Sequence, residues 1–449
     1  MMQSYRRRMA SFFVFALVAA LAIPATAGAT GGPGAGERTY LVTIENLTDG
    51  QPFTPPVLTT HHRRTSVFDV GAVASSGIQG LAENGDVPGL VAELQADGRV
   101  GGITVADASG PVLPGGEITV EINSTRGHRR LSIASMLICT NDGFVGLDSL
   151  ELPRAAAEPS VAYLHAYDAG TEVNTESFGD LVPPCGPLTG VDSGGQGTGM
   201  SNPALAEGGV IAAHAGVAGG SDLDPAIHGW ADPVAKVTIM RIDNARQYEV
   251  TVSNSTDGQP FTPPVLATHK RGEEIFEVGD EASHEIRQLA ENGDAPGLAA
   301  ALQGDDDFGA VVVGDAPVFV GGEATYTFWA PRNNRRVSFA SMLICSNDGF
   351  AGLDGARLPR WVGESSSFDL GAYDAGSEIN TEAFADLVPP CGPLTGVDSG
   401  GQGTGMSNPA LAEGGVISSH AGVVGGADLD PTLHGWTGAV GSLTITRLN

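Results

Sequence analysis

The sequence predicts an all-β protein made of two tandem antiparallel β-sandwich domains, each with a small helical excursion. Three observations lead to this prediction. Glycine and proline are abundant, with 64 and 28 residues, whereas aromatic residues make up only 6% of the chain. Short apolar segments alternate with polar residues, and nearly the whole chain repeats once. This combination favours short strands joined by turns over long helices.

The repeat relates residues 40–242 to residues 248–448. The motif QPFTPPVL that begins at Gln51, for example, returns at Gln259. The period is far longer than the units of solenoids and propellers, so it indicates the duplication of a whole domain. The predicted domains are 38–243 and 244–449, after a linker at 28–37.

The apolar pattern within each copy is typical of strands. Apolar and polar residues alternate in 248–252 and in 117–122, as expected of half-buried antiparallel strands. Segments 131–138 and 337–344 are more continuously apolar, which predicts central strands. A further strand at 236–242 is predicted to end the first copy.

One short helical region is predicted in each copy. In the second copy, Ile286, Leu289 and Ala290 have helical spacing, and Gly293 is placed to end the helix. A second helix is predicted over 294–303, because a proline follows its first aspartate.

The N-terminus has the pattern of a secretory signal peptide over residues 1–27. Three arginines at 6–8 precede an apolar stretch at 12–23, and Ala25 and Ala27 form an A-x-A cleavage pattern. The apolar stretch is too short for a stable membrane span. We therefore expect a secreted protein, cleaved near Ala27, with no membrane insertion.

The formal net charge of −29 limits the possible partners. Such an acidic surface repels nucleic acid phosphates and anionic lipids. It is compatible with divalent cations, although it can also serve only to keep an exported protein soluble.

The four cysteines are divided equally between the two copies: Cys139 and Cys185 in one, Cys345 and Cys391 in the other. An even number in an exported chain suggests disulfides, and one bridge within each copy is the simplest connectivity. The alternative is four buried free thiols.

Acidic residues around glycines form the first candidate site. Asp142 lies in an NDGF segment, and Asp168 and Glu172 lie in a YDAGTE segment. Carboxylates in this arrangement can provide oxygen ligands for Ca²⁺, but Asp-Gly and Asp-Ala-Gly are also ordinary turns. The equivalent residues of the second copy are Asp348, Asp374 and Glu378.

A histidine motif forms the second candidate site. His228 follows Asp224 and precedes Trp230, and the same residue types recur around His434. Histidine and carboxylate could form a metal site or a general base, or they could anchor a loop by packing. The sequence has no G-x-S-x-G or H-E-x-x-H motif, so we predict a protein that is not an enzyme.

The motifs together resemble the spondin N-terminal domain family, and most closely bacterial proteins with this domain. The resemblance rests on the start of each copy, the QPFTPPV motif, the SMLIC-x-NDGF segment and the YDAG-x-E-x-NTE segment. It covers nearly the whole of each copy.

The resemblance implies an extracellular β-sandwich similar to a C2 domain, with one calcium ion held by loops at one end. The implied ligands are Asp142, Asp168 and Glu172, with Asp348, Asp374 and Glu378 in the second copy. Glu172 and Glu378 depart from the family pattern, which has aspartate there, and a longer side chain alters the coordination geometry.

Our first functional hypothesis is a secreted calcium-binding adhesion or binding protein, whose ligand is an extracellular protein or a polysaccharide. The first alternative is an exported metal-dependent hydrolase that uses His228 and Asp224. The second alternative is a structural component of a surface layer or matrix.

Overall fold

A computed structural model describes residues 37–106, 110–183, 185–189, 201–388, 391–395 and 407–449. The predicted signal peptide and almost all of the predicted linker lie outside the described residues. Within the described part of the chain, no helix is long and apolar enough to cross a membrane.

The first copy consists mainly of short strands, with two helices inserted after the second strand. Its strands are β1 (Arg38–Asn46), β2 (Val57–His61), β3 (Val100–Val105), β4 (Glu117–Ser124), β5 (Arg130–Met136), β6 (Gly143–Glu151), β7 (Pro159–Asp168), β8 (Ala212–Ala213) and β9 (Ala235–Arg241). Its helices are α1 (Ser76–Asn84), α2 (Val87–Ala96), α3 (Cys185–Thr189) and α4 (Pro225–His228).

The second copy repeats the same elements in the same order. Its strands are β10 (Ala245–Asn254), β11 (Val265–His269), β12 (Phe308–Val313), β13 (Glu323–Pro331), β14 (Arg336–Met342), β15 (Gly349–Arg357), β16 (Ser365–Asp374), β17 (Ser418–Ser419) and β18 (Gly441–Arg447). Its helices are α5 (His284–Asn292), α6 (Ala295–Gln303), α7 (Cys391–Thr395) and α8 (Pro431–His434).

Each copy forms one antiparallel sheet that curves towards closure. The strand order is β3-β2-β5-β6-β7-β9-β1-β4, with β8 added beside β7, and the second copy has the equivalent order. The hydroxyl of Thr60 on β2 donates to the carbonyl of Asn123 on β4, so the two ends of the sheet approach each other. The predicted all-β, antiparallel class with few helices is confirmed, and the shape of each copy is close to a barrel.

Strand β7 contacts different strands along its length. Its first half, 159–164, pairs with β9, whereas its second half, 165–168, pairs with β6. A strand that changes partner in this way connects two parts of a curved sheet. It also brings its last residue, Asp168, directly opposite Gly143, the first residue of β6.

The predicted strands agree with the burial pattern. Tyr248, Val250 and Val252 on β10 are fully buried, and the polar residues between them are partly exposed. The segment predicted as a central strand at 131–138 overlaps β5, which lies between β2 and β6. Successive side chains of a strand point to opposite faces of the sheet, so an apolar period of two in the sequence indicates a strand with one buried face.

The helix prediction is correct in the second copy but incomplete. The Ser283 hydroxyl caps α5, and Gly293 ends it in the left-handed conformation. Asp294 caps α6 through its carboxylate. The described residues of each copy also contain a five-residue and a four-residue helix, which the sequence pattern did not indicate.

Candidate functional site

A buried glutamine joins three segments at one end of each copy. The Gln51 side chain donates from Nε2 to the carbonyl of His228 at 2.6 Å and accepts from the backbone N–H of Cys139 at 3.1 Å. The Asn46 amide in turn donates to the carbonyl of Gln51 at 2.8 Å. Gln259 makes the equivalent bonds in the second copy. This network gives the first residue of the repeated motif the same structural role in both copies.

The residue before this glutamine has to be glycine because the two loops touch there. A Cβ atom on Gly50 would lie 1.5 Å from the carbonyl oxygen of Ile227, and one on Gly258 would lie 1.5 Å from that of Leu433. Any side chain would push the loop that begins at Gln51 away from the loop that contains His228.

One disulfide per copy crosses the same end of the molecule. Cys139 is bonded to Cys185, and Cys345 to Cys391, as the repeat predicted. In the first copy the bridge is buried among apolar side chains that include Phe178. It fixes the end of β5 to the short helix that begins at Cys185.

Asp142 lies in the turn between β5 and β6 and is fully buried. Its Oδ2 atom accepts hydrogen bonds from the backbone N–H groups of Thr171 at 2.7 Å and Glu172 at 3.0 Å. Its Oδ1 atom is buried and has no hydrogen-bond partner. Asp142 is one of the predicted calcium ligands, and one of its two oxygens is free of hydrogen bonds.

Asp168, at the end of β7, organises the turn that follows it. Its Oδ1 accepts from the N–H of Gly170 at 2.7 Å, and its Oδ2 accepts from the Asn174 amide at 2.6 Å. Gly170 has a φ of +69°, and a Cβ atom there would lie 2.6 Å from the backbone nitrogen of Val210. The glycine of the YDAG segment is therefore required by both conformation and space.

Glu172 is also buried and is held by a later loop. Its Oε1 accepts from the backbone N–H of Asn202 at 2.7 Å. The negative charges of Glu83, Asp142 and Asp180 act on it. Glu83, on α1, is itself buried.

The electrostatics of the site favour a positive ion. Burial raises the pKa of Asp142 to about 6, and the nearby charge of Asp168 adds to the effect, although backbone N–H groups oppose it. Burial raises the pKa of Glu172 to about 7. The same causes raise the pKa of Asp348 to about 6 and that of Glu378 to about 7. Each copy therefore concentrates negative charge where water is excluded.

The six predicted calcium ligands have some of the features of a cation site but do not form a complete one. A buried carboxylate oxygen without a donor, present on both Asp142 and Asp348, is a group that a bound cation would complete. The negative charge of Asp168 acts on Asp142, and the negative charge of Asp142 acts on Glu172. However, the described residues contain no group of three His, Cys, Asp or Glu side chains that could hold a metal ion as they stand. Binding would therefore require Glu172 or Asp168 to reorient.

The histidine motif anchors a loop in this structure. The Asp224 carboxylate caps α4 by accepting from Ala226, and the ring Nδ1 of His228 accepts from the backbone N–H of Asp224 at 3.0 Å. His228 is fully buried and packs edge-on against Phe178. This arrangement agrees with the packing interpretation, since a buried imidazole has no open path to a substrate.

Two acidic residues important for this end of the molecule were missed from the sequence. Glu83 lies beside Glu172, and Glu176 accepts from the N–H groups of Ala218 at 2.5 Å and Gly220 at 2.6 Å. Both glutamates recur in the second copy, as Glu291 and Glu382. That recurrence was the available signal, but a repeated glutamate does not by itself reveal its partner.

These features define a class of protein. Each of the two β domains has one disulfide, and disulfides are typical of proteins from oxidising, extracellular environments. The chain belongs to the Spondin_N family, because the model of that family matches residues 48–179 and 250–385. The two matches correspond to the two copies of the repeat.

The chain is similar to two curated relatives over a limited region. It is 30% identical to Spondin-2 of Homo sapiens and 29% identical to Spondin-2 of Rattus norvegicus, each over 116 residues. The matched region is 25% of this chain and 35% of each relative. The chain thus spans about a third of the length of these relatives.

Proposed function

We propose that the protein is a secreted, calcium-binding adhesion or binding protein, with one calcium ion in each copy. Its ligand would be an extracellular protein or a polysaccharide. Two similar domains in one chain could bind a repetitive surface with avidity, because the second contact becomes intramolecular. Membership of the Spondin_N family supports an extracellular binding role.

The observation that carries the calcium proposal is the free Oδ1 of Asp142, repeated at Asp348. Two backbone N–H groups hold the other oxygen of each carboxylate, so the free oxygen has a fixed position. A bound calcium ion would supply positive charge to offset the repulsion between the buried carboxylates. The proposed ligands are Asp142, Asp168 and Glu172, with Asp348, Asp374 and Glu378.

Scanning calorimetry with calcium and with a chelator tests this proposal. We expect millimolar calcium to raise the melting temperature, because an ion that binds only the folded state stabilises it. The double variant Asp168→Ala plus Asp374→Ala should lose that rise. A matched control, Glu117→Ala plus Glu323→Ala, removes the same charge from exposed strand ends and should keep it.

The calorimetric result has two clear readings. Calcium stabilisation that survives in the Asp168 and Asp374 double variant would place the ion elsewhere. No stabilisation of the unmodified protein at millimolar calcium would leave these carboxylates as turn-forming residues only.

Burial of the histidines supports a binding role over the exported hydrolase. A general base must reach its substrate, whereas His228 and His434 are fully buried. We therefore expect that a His228→Phe plus His434→Phe variant and the unmodified protein give the same result when assayed for activity against a panel of hydrolase substrates.

We also propose the finer architecture and the route of export. The partner change along β7 supports two facing layers, as in a C2-like β-sandwich, in domains 38–243 and 244–449. The two disulfides are of the kind that persists in oxidising compartments. Mass spectrometry of the exported protein should give an N-terminus close to Gly28.

A further inference from the structure

A cleft of about 220 Å³ opens in the second copy, next to the disulfide. Clefts for drug-sized ligands are usually larger, so this one suits a smaller molecule. Val423 and Leu429 contribute apolar surface to its wall. The polar side chains that line it include Asn347, Thr381, Glu382 and His420.

Asn347 provides a hydrogen-bond donor that nothing in the described chain satisfies. Its side chain is only 3% exposed. The Oδ1 atom accepts from the backbone N–H of Thr381 at 3.1 Å, and this bond determines which way the amide faces. The Nδ2 atom is buried and has no partner. Buried donors are nearly always paired, so an acceptor from a ligand would complete this group.

His420 provides a second donor of the same kind. Its Nδ1 accepts from the backbone N–H of Gly422 at 3.0 Å, so the proton of the ring lies on Nε2. That Nε2 is buried and has no partner. The ring packs edge-on against Trp436, with 5.1 Å between the ring centroids, which restricts its rotation.

The charge of the wall limits the ligand further. The two carboxylate oxygens of Glu382 accept from the backbone N–H groups of Val424 at 2.5 Å and Gly426 at 2.6 Å. This negative group repels anions. The two unpaired groups are donors, and an ammonium group cannot satisfy them because it has no lone pair to accept a hydrogen bond. A neutral molecule with oxygen acceptors satisfies both conditions.

We propose that this cleft binds a small neutral hydroxylated molecule, such as one monosaccharide unit, whose oxygens accept hydrogen bonds from Asn347 and His420. None of the proposed calcium ligands lines the cleft, although Asn380 in its wall donates to Asp374, and the proposed hydrogen bonds do not involve the ion.

The first copy provides a matched comparison at the asparagine. Asn141, the counterpart of Asn347, donates from Nδ2 to the Thr175 hydroxyl at 3.4 Å, so this donor is partnered. The Nε2 of His214, the counterpart of His420, is buried and unpaired as in the second copy, so the two copies differ in one donor. The positions of Ser346 and Val424 in the cleft are occupied by threonine and alanine in the first copy. The proposal therefore concerns the second copy.

The test is an NMR titration of the full exported chain with a charge series of sugars. Glucose and myo-inositol are the neutral probes, glucuronate is the anion and glucosamine is the cation. We expect saturation transfer to a neutral probe, with the two charged sugars at least roughly fivefold weaker. Titrations with calcium and with chelator should agree, which separates this site from the calcium proposal.

Matched variants locate the binding. Ala421 is exposed and lines the cleft, so Ala421→Leu should fill it and abolish binding, whereas Ala215→Leu in the first copy should not. Asn347→Ala should weaken binding roughly fivefold, and Asn141→Ala should leave it unchanged. Asn347→Ala also removes the acceptor for the backbone N–H of Thr381. If the Asn347→Ala variant fails to fold for that reason, the Ala421→Leu variant alone tests the binding site.

Three results would overturn the proposal. The first is the absence of binding by either neutral probe. The second is tighter binding of glucuronate or glucosamine than of the neutral sugars. The third is an equal loss of binding from the variants of both copies.

Discussion

The two copies agree closely at the acidic loop end and differ on the outer face of the sheet. At the loop end, Asp142 accepts from Thr171 at 2.7 Å, and Asp348 accepts from Ser377 at 2.7 Å. On the outer face, Val161 and Tyr163 of the first copy are 51% and 47% exposed. The second copy has Ser367 and Asp369 at those two positions.

The difference follows from how many partners each residue has. An outward-facing residue on a strand contacts solvent and its cross-strand neighbours, so many side chains fit there. A loop residue such as Asp142 has several fixed hydrogen-bond partners, and each of them requires one particular oxygen. Substitutions at the loop end should therefore cost much more than substitutions on the outer face.

The largest effect is expected from loss of a disulfide. Cys139→Ser plus Cys185→Ser should lower the free energy of unfolding by roughly 3–4 kcal/mol, because the bridge closes a loop with a sequence separation of 46. Chemical denaturation measures this change. Cys345→Ser plus Cys391→Ser should give a similar loss, and clearly unequal losses would mean that the two loop ends are not equivalent.

The buried glutamines should have the next largest effect. Gln51→Ala would leave the His228 carbonyl and the Cys139 N–H buried without partners, at a cost of roughly 2–4 kcal/mol. Gln259→Ala should cost about the same. Denaturant titration measures both, and a loss below about 1 kcal/mol would show that water replaces the glutamine.

A smaller, pH-dependent effect is expected at His228. Burial lowers the pKa of this imidazole, although a backbone hydrogen bond to Asp224 opposes the shift. The unfolded chain therefore takes up a proton first as the pH falls below about 6.5, and stability decreases there by at most about 1.4 kcal/mol per pH unit. Above that pH the contribution of His228 to stability is fully present.

The variant His228→Phe isolates this contribution. It keeps an aromatic ring against Phe178 and should flatten the decrease in unfolding free energy between pH 7 and pH 5 (roughly the window set by an unperturbed histidine). His284→Phe, at an exposed helix position, is the control and should leave the slope unchanged. An unaltered slope in the His228 variant would assign the pH dependence to other groups.

The smallest effect is expected on the outer face. Replacing one residue by its counterpart in the other copy, by Val161→Ser or Ser367→Val, should change the unfolding free energy by less than about 1 kcal/mol. Thermal denaturation of each variant is sufficient to measure this. A larger loss would show that the face is covered by another part of the chain or by a second molecule.

Much of the local structure could be predicted because it depends on neighbours in the sequence. The alternation of apolar residues around Tyr248 placed β10, and the glycine and aspartate at 293 and 294 placed the boundary between α5 and α6. The duplication selected the correct cysteine pairs from the possible connectivities. The resemblance to the spondin family was also visible in the motifs, and the family match agrees with it.

The arrangement of the candidate site could be predicted only in part. The motifs identified Asp142, Asp168 and Glu172, but not that Glu172 would be bonded to the distant Asn202. The role of Gln51 was hidden for the same reason, because its partner His228 is far away in the sequence. Such contacts depend on how loops from different strands meet.

The sequence by itself determined the duplication, the β class, the position of several strands and the pairing of cysteines within each copy. These properties follow from periodicity, turn residues and internal repetition, which are all readable along the chain. Tertiary structure alone decided the strand order, the partner change along β7 and the free oxygen of Asp142. Burial and hydrogen bonding between distant segments set these features, because they depend on which loops close over a carboxylate and exclude water.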